Sequence, residues 1–261
     1  MKTIRSIFRR SSVGLIIATA LLLLPALSQV LLRAEAQTDE KEVYKPTGRE
    51  GSITGAINFV GVPPAREKID VGQDANCVAI SRNLRTEYAV VTNGKLANVF
   101  VYVMSGGAVN DYRFETPSSA VELEHKGCRY VPHVLGIQTG QTLRIINSDP
   151  AMHNTHPSPH LNEDFNRTQP PGATPMEHKF NRAEVFIPVK DNQHPWEKAL
   201  VSVLAHPFFA VSDVQGQYKI EGLPPGTYRV AALHEWFGEQ RAEITVGTTE
   251  SKTLNFTFKP K

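Results

Sequence analysis

Two stretches of this 261-residue chain carry side chains able to hold a metal ion. Gly136 to His156, GIQTGQTLRIINSDPAMHNTH, carries His153, and Val189 to Lys198, VKDNQHPWEK, carries Asp191, His194 and Glu197. Two imidazoles with one or two carboxylates make a hard donor set that suits Cu(II) or Zn(II) and disfavours Cu(I). His156, three residues beyond His153, is a secondary candidate.

Strand ends must bring these residues together. Leu143 and Ile145 alternate with Thr142 and Arg144, the period of a half-buried strand, and Asn147 to Pro150 stops it with turn-forming residues. His153 is therefore expected at a loop tip. Val185, Phe186, Ile187 and Val189 read as a second strand that delivers Asp191, and Pro195 bars its continuation as a central one. Between the two stretches lies a Pro- and Asn-rich segment without any period, expected to be a long loop. Its His160 and His178 read as solvated side chains, because single flexible ligands bind weakly. Met152 and Met176 add only the outline of a softer copper-binding patch.

These motifs resemble those of the cupredoxins, of the plastocyanin and amicyanin type. GQTLRIINSD…HN corresponds to the first ligand loop, and the segment around His194-Pro-Trp to the second. In that pattern the thiolate ligand falls at Asp191 and the axial methionine at Glu197, so His153 and His194 alone carry over. The resemblance implies a Greek-key β-sandwich. The two carboxylates imply a site that is not blue and carries electrons poorly, holding copper or zinc, or one that has lost its metal.

The N-terminus reads as an export signal: Lys2, Arg5, Arg9 and Arg10, an apolar run from Val13 to Leu24, and Ala34-Glu-Ala36 as a cleavage site before Gln37. An uncleaved anchor is the alternative. The expected location is periplasmic or secreted. The formal charge of the whole chain is +2, but residues 1–36 hold five basic and one acidic residue, so the remainder is at −2. Nothing in that balance favours nucleic acid or an anionic membrane surface. Cys77 and Cys128, an even pair in an exported chain, read as a disulfide contributing about 4 kcal/mol in the chain-entropy model.

Residues 37–50 have the composition of a linker. From Gly51 onward short alternating strands separated by Gly, Pro and Asn turns predict an all-β protein with no sustained helix. The segment FFAVSDVQGQYKIEGLPPGTYRV resembles the carboxypeptidase-regulatory-like β-sandwich, also called transthyretin-like. That gives a signal peptide at 1–36, a linker at 37–50, a cupredoxin-like domain at 51–206 and a carboxypeptidase-regulatory-like domain at 207–259. GSITGAINFVGVPP resembles the opening strand of the same sandwich, so an inserted arrangement fits as well as a tandem one. His133 reads as a core histidine, Trp196 as a packing residue shielding the site, and His234-Glu235 as a strand-edge pair whose side chains diverge. No activated nucleophile, phosphate loop or acid–base pair stands out, so the chain reads as a metal-binding protein and not an enzyme. The competing reading is a metal-free scaffold for a protein or polysaccharide partner.

Overall fold

The computed structural model describes residues 41–81 and 83–260. The export signal read at residues 1–36 lies outside the described residues. Within them the chain is all-β apart from two short helices, α1 (Ala75–Ile80) and α2 (Ala108–Asp111). None of the described helices is long and apolar enough to cross a membrane.

The first sandwich draws on both ends of the chain. Its opening strand β1 (Gly51–Phe59) buries every second residue, Ile53, Ile57 and Phe59 among them, as its alternation requires. Along one edge β1 pairs antiparallel with β15 (Gln217–Leu223), and it also pairs parallel with β18 (Ser251–Thr253) and β19 (Phe256–Phe258). The short hairpin β2 (Val91–Thr92) and β3 (Lys95–Leu96) completes that sheet. The facing sheet has the order β14 (Phe209–Val211), β4 (Phe100–Gly106), β16 (Gly226–His234), β17 (Gly238–Val246). Side chains from both enclose one core, with Val101, Val103, Tyr218, Tyr228 and Phe256 in it.

Residues 121–204 form a second sandwich between those two portions. One sheet runs β10 (Arg167–Gln169), β9 (His153–Pro157), β12 (Glu184–Lys190), β13 (Lys198–Leu204), β7 (Val134–Gln138). The other runs β11 (Met176–Lys179), β8 (Thr142–Asn147), β5 (Val121–His125), β6 (Tyr130–Val131). Leu123, Ile137, Ile145, Ile187 and Val201 fill the space between them.

The boundary expected at 206/207 does not hold. Strands from both sides of it share sheets, because β1 pairs with β15, β18 and β19 as well as with β3. Residues 42–50 are also more than a linker: Tyr44 N–H donates to Arg113 O, and the Tyr44 ring meets Tyr112 and Phe114. The aperiodic segment after His156 likewise folds as β10 and β11, where pairing to β9 and β8 overrides its weak strand propensity.

Phe100, Tyr102, Val134, Leu204 and Ala231 form the seam between the sandwiches. At Gly136 a Cβ would lie 2.5 Å from the Phe209 ring and 2.8 Å from Phe100. Gly136→Ala is expected to cost about 1–3 kcal/mol by overpacking this contact. Urea unfolding of the variant, with an unchanged midpoint as the contrary result, checks it.

Candidate metal centre

The connection from β12 to β13 is a tight loop that carries three candidate ligands, Asp191, His194 and Glu197, at successive intervals of three. Glu197 N–H donates to His194 O at 2.8 Å, and Asp191 Oδ1 accepts from Gln193 N–H (2.7 Å) and His194 N–H (3.0 Å). These bonds fold the loop back on itself, so all three side chains point to one place. His153 enters from β9. It is the first residue of that strand and not a loop tip, and the two-residue period places Thr155 on its side and His156 on the other. His156 accordingly pairs with Asn192 and is no part of the site. His160 and His178 lie elsewhere: the first bonds through its backbone to Glu184, and the second stacks near Phe165 and Phe180. Met176 packs against the second core.

Four donor atoms converge. His153 Nδ1 lies 3.1 Å from Asp191 Oδ2, 3.1 Å from Glu197 Oε1 and 3.1 Å from His194 Nδ1. His194 Nδ1 lies 3.2 Å from Asp191 Oδ2 and 3.6 Å from Glu197 Oε1. All four residues are buried. A proton on either nitrogen can point at only one of its neighbours, so hydrogen bonds cannot use all these contacts. Glu197 Oε1 shows this directly: it is within ion-pair distance of both imidazoles yet has no aligned hydrogen-bond donor. An orphaned buried carboxylate oxygen is costly. Two nitrogens and two oxygens aimed at one point fit a divalent cation, and a cation would use that oxygen.

A second ring of carboxylates orients the ligands. Asp149 Oδ2 accepts from His153 Nε2–H at 3.2 Å, and Asp74 Oδ2 accepts from His194 Nε2–H at 3.2 Å. With Nε2–H committed outward, Nδ1 is the nitrogen turned to the centre. Each of these carboxylates is itself fixed. Asp149 accepts from the N–H groups of Gly127 (2.7 Å) and Cys128 (2.8 Å), both at left-handed φ, and Asp74 caps α1 through the N–H groups of Asn76 and Cys77. The Cys77–Cys128 disulfide is formed and joins these two supports. His125 completes the ring: its Nδ1 lies 2.9 Å from Glu197 Oε2 and its Nε2 3.0 Å from Thr155 Oγ1.

His125, Asp149 and Asp74 were not among the residues expected from sequence. His125 follows Leu123 on the buried face of β5, and a histidine at an apolar parity was the signal for it. Asp74 is 120 positions from His194, and no local pattern could pair them.

Electrostatics follow the geometry. Burial alone would drive the His153 pKa down, but Asp149, Asp191 and Glu197 outweigh it and push it up to about 11. Burial would raise Asp191, yet the bonds from His153, His194 and the Asn154 N–H hold it well below the usual carboxylate range. In metal-free protein His153 thus carries a proton that partly neutralises the surrounding acids. Asp149→Asn, which removes the charge behind His153, is expected to weaken metal binding about 10–100-fold. Competition with a chelator of known affinity measures it, and an unaltered constant would mean Asp149 does not orient the ligand.

Residues 188–259 match the carboxypeptidase regulatory-like domain. That match begins inside β12 and runs through β19, so it includes the loop with Asp191, His194 and Glu197. No curated relative matches the sequence. The solved structures most similar to the chain include cupredoxins. Amicyanin from Paracoccus versutus is 20% identical over 40% of this chain and 96% of its own, with a TM-score of 0.30. The purple cupredoxin from Nitrosopumilus maritimus is 24% identical over 32% of this chain and 98% of its own, at 0.28. The copper-containing nitrite reductase from Thermus scotoductus SA-01 is 15% identical over 56% of this chain, at 0.31. This chain spans only 28% of that enzyme's length. The chain therefore carries a regulatory-like segment, as the motif in it led one to expect, and the likenesses to the solved structures assign it neither a metal nor an activity.

Proposed function

We propose that this is an exported metal-binding protein whose His153, His194, Asp191 and Glu197 hold one Cu(II) or Zn(II) ion, and that it is not an efficient electron carrier. The observation that carries this reading is the convergence of two Nδ1 atoms and two carboxylate oxygens on one buried point, with Glu197 Oε1 lacking any hydrogen bond there. The bound ion would supply a fixed positive charge and Lewis acidity. The protein's residues fix its selectivity: two hard oxygens favour a divalent ion, and without thiolate or thioether there is no donor that favours Cu(I). The Cys77–Cys128 disulfide supports the extracytoplasmic part of the proposal, since such bonds persist in oxidising compartments.

Titration of stripped protein with Cu(II) and Zn(II) tests the site. One ion per chain is expected, with Cu(II) displacing Zn(II). Trp196 packs 5.1 Å from the His194 ring, so paramagnetic Cu(II) should quench its fluorescence and Zn(II) should not. Because the ion must displace the His153 proton, apparent affinity should rise with pH, about tenfold per unit for each proton released. Binding that persists unchanged in His194→Ala would remove the proposal.

One observation favours a metal-free scaffold for a protein or polysaccharide partner: protonated His153 between Asp149 and Asp191 already offsets part of the buried negative charge. That reading predicts no stoichiometric binding of either ion.

A further inference from the structure

Both tryptophans of the chain, Trp196 and Trp236, line a single cleft of ≈ 260 Å³ where the two sandwiches meet. Trp196 belongs to the second sandwich and Trp236 to the first, on the turn after β16. Two aromatic rings are thus supplied by segments far apart in sequence, and a third, Tyr88, stacks on Trp236 with centroids 4.8 Å apart. Trp196 is held by its indole N–H, which donates to Cys128 O at 3.0 Å. Trp236 is about half exposed, at 48%, an uncommon degree for the largest apolar side chain.

The charges in the cleft do not balance. Glu235 is matched by His133, whose Nε2 lies 2.5 Å away and whose Nδ1 is fixed 2.9 Å from Lys198 O. Glu87 is matched by Arg129 at 3.5 Å. Arg85 and Lys198 also line the cleft, and neither forms an ion pair among the described residues. The cleft therefore offers flat apolar faces together with surplus positive charge. Aromatic faces accept the flat side of a ring, and a guanidinium or ammonium accepts a carboxylate.

We propose that this cleft binds a small ring-shaped carboxylate, its ring against Trp236 and Trp196 and its carboxylate toward Arg85 and Lys198. The ring chemistry could come from an aromatic acid or from an acidic sugar. This site is separate from the metal centre, although Trp196 has His194 on its other side.

The test uses the full chain, stripped with chelator, titrated with sodium benzoate and sodium glucuronate and with benzyl alcohol and glucose as neutral counterparts. In the stripped protein tryptophan emission reports on this cleft, because both tryptophans line it. A saturable change with a Kd below about 1 mM is expected for at least one carboxylate, and binding about tenfold weaker for its neutral counterpart. Response to benzoate assigns aromatic acids, and response to glucuronate assigns acidic sugars. Calorimetry should show the affinity reduced about tenfold or more in Trp236→Ala and in Lys198→Ala, with the melting temperature of Lys198→Ala unchanged because that side chain is exposed. The proposal is overturned if neither carboxylate gives a saturable response below about 10 mM by fluorescence and calorimetry. It is equally overturned if the neutral compounds bind as tightly as the acids.

Discussion

Replacing Asp191 by Cys and Glu197 by Met is expected to convert a weakly coloured Cu(II) complex into one with an intense visible charge-transfer band. Asp191 Oδ2 sits 3.1 Å from one Nδ1 and 3.2 Å from the other, so a thiolate at that position faces both imidazoles. Met at 197 would place a weak thioether where Glu197 Oε1 now stands. Together these give the two-histidine, one-thiolate set with a weak axial sulfur in which both copper oxidation states are tolerated. The Asn154 N–H, now 2.9 Å from Asp191 Oδ2, would remain to donate to the sulfur. Some stability is lost, about 1–3 kcal/mol, because the N–H groups of Gln193 and His194 lose Asp191 Oδ1 as acceptor. Absorption and paramagnetic-resonance spectra of the copper-loaded double variant decide the matter, after mass spectrometry shows that Cys77 and Cys128 are still joined. A folded variant that binds Cu(II) but stays weakly coloured would mean that the four side chains do not share one ion.

The second large effect concerns the protein without metal. His153→Ala removes the one imidazole that touches Asp149, Asp191 and Glu197 together, and leaves these buried acids without their central counter-charge. Breaking a buried charge network in this way costs about 3–5 kcal/mol. Urea unfolding in excess chelator measures it, and a loss below about 1 kcal/mol would show that the network adds little. The pH dependence has a definite sign. The raised His153 pKa stabilises the fold fully below the ordinary histidine value of about 6.5, and that contribution is lost as pH climbs toward about 11. The depressed Asp191 pKa stabilises fully above about 4, and that contribution is lost as acid protonates it. Wild-type apoprotein should therefore be most stable between those limits, and His153→Ala should lack the alkaline decline.

The four central residues were legible in the sequence because their chemistry is unusual for their positions. Two histidines and two acids beside β-branched strands are an uncommon set, which marks them as a candidate site from sequence alone. His156 stood as a secondary candidate for want of a register: only the start of β9 at His153 decides that residue 156 faces away. The residues that orient the ligands were illegible for a different reason. Asp149 in Asn-Ser-Asp-Pro and Asp74 before α1 are ordinary turn and cap residues by local rules, and they also serve in that way. Their second role exists only because the disulfide and the strand pairing bring distant segments against His153 and His194. The motif Gly-Leu-Pro-Pro-Gly announced its sandwich, but the membership of β1 in it rests on pairings nearly 200 residues away, which no window of sequence contains.

Because β1 runs parallel to β18 and β19, the start of β1 and the end of β19 lie at opposite ends of their shared ladder. Tension applied between the two ends of the folded region would therefore load those hydrogen bonds in shear, where they resist together, and not one after another as in peeling a hairpin. The line of force runs from β1 directly into the last strands and bypasses residues 121–204. A pull on this molecule would be borne by its first sandwich, while the cluster of His153, His194, Asp191 and Glu197 rode beside it unstretched.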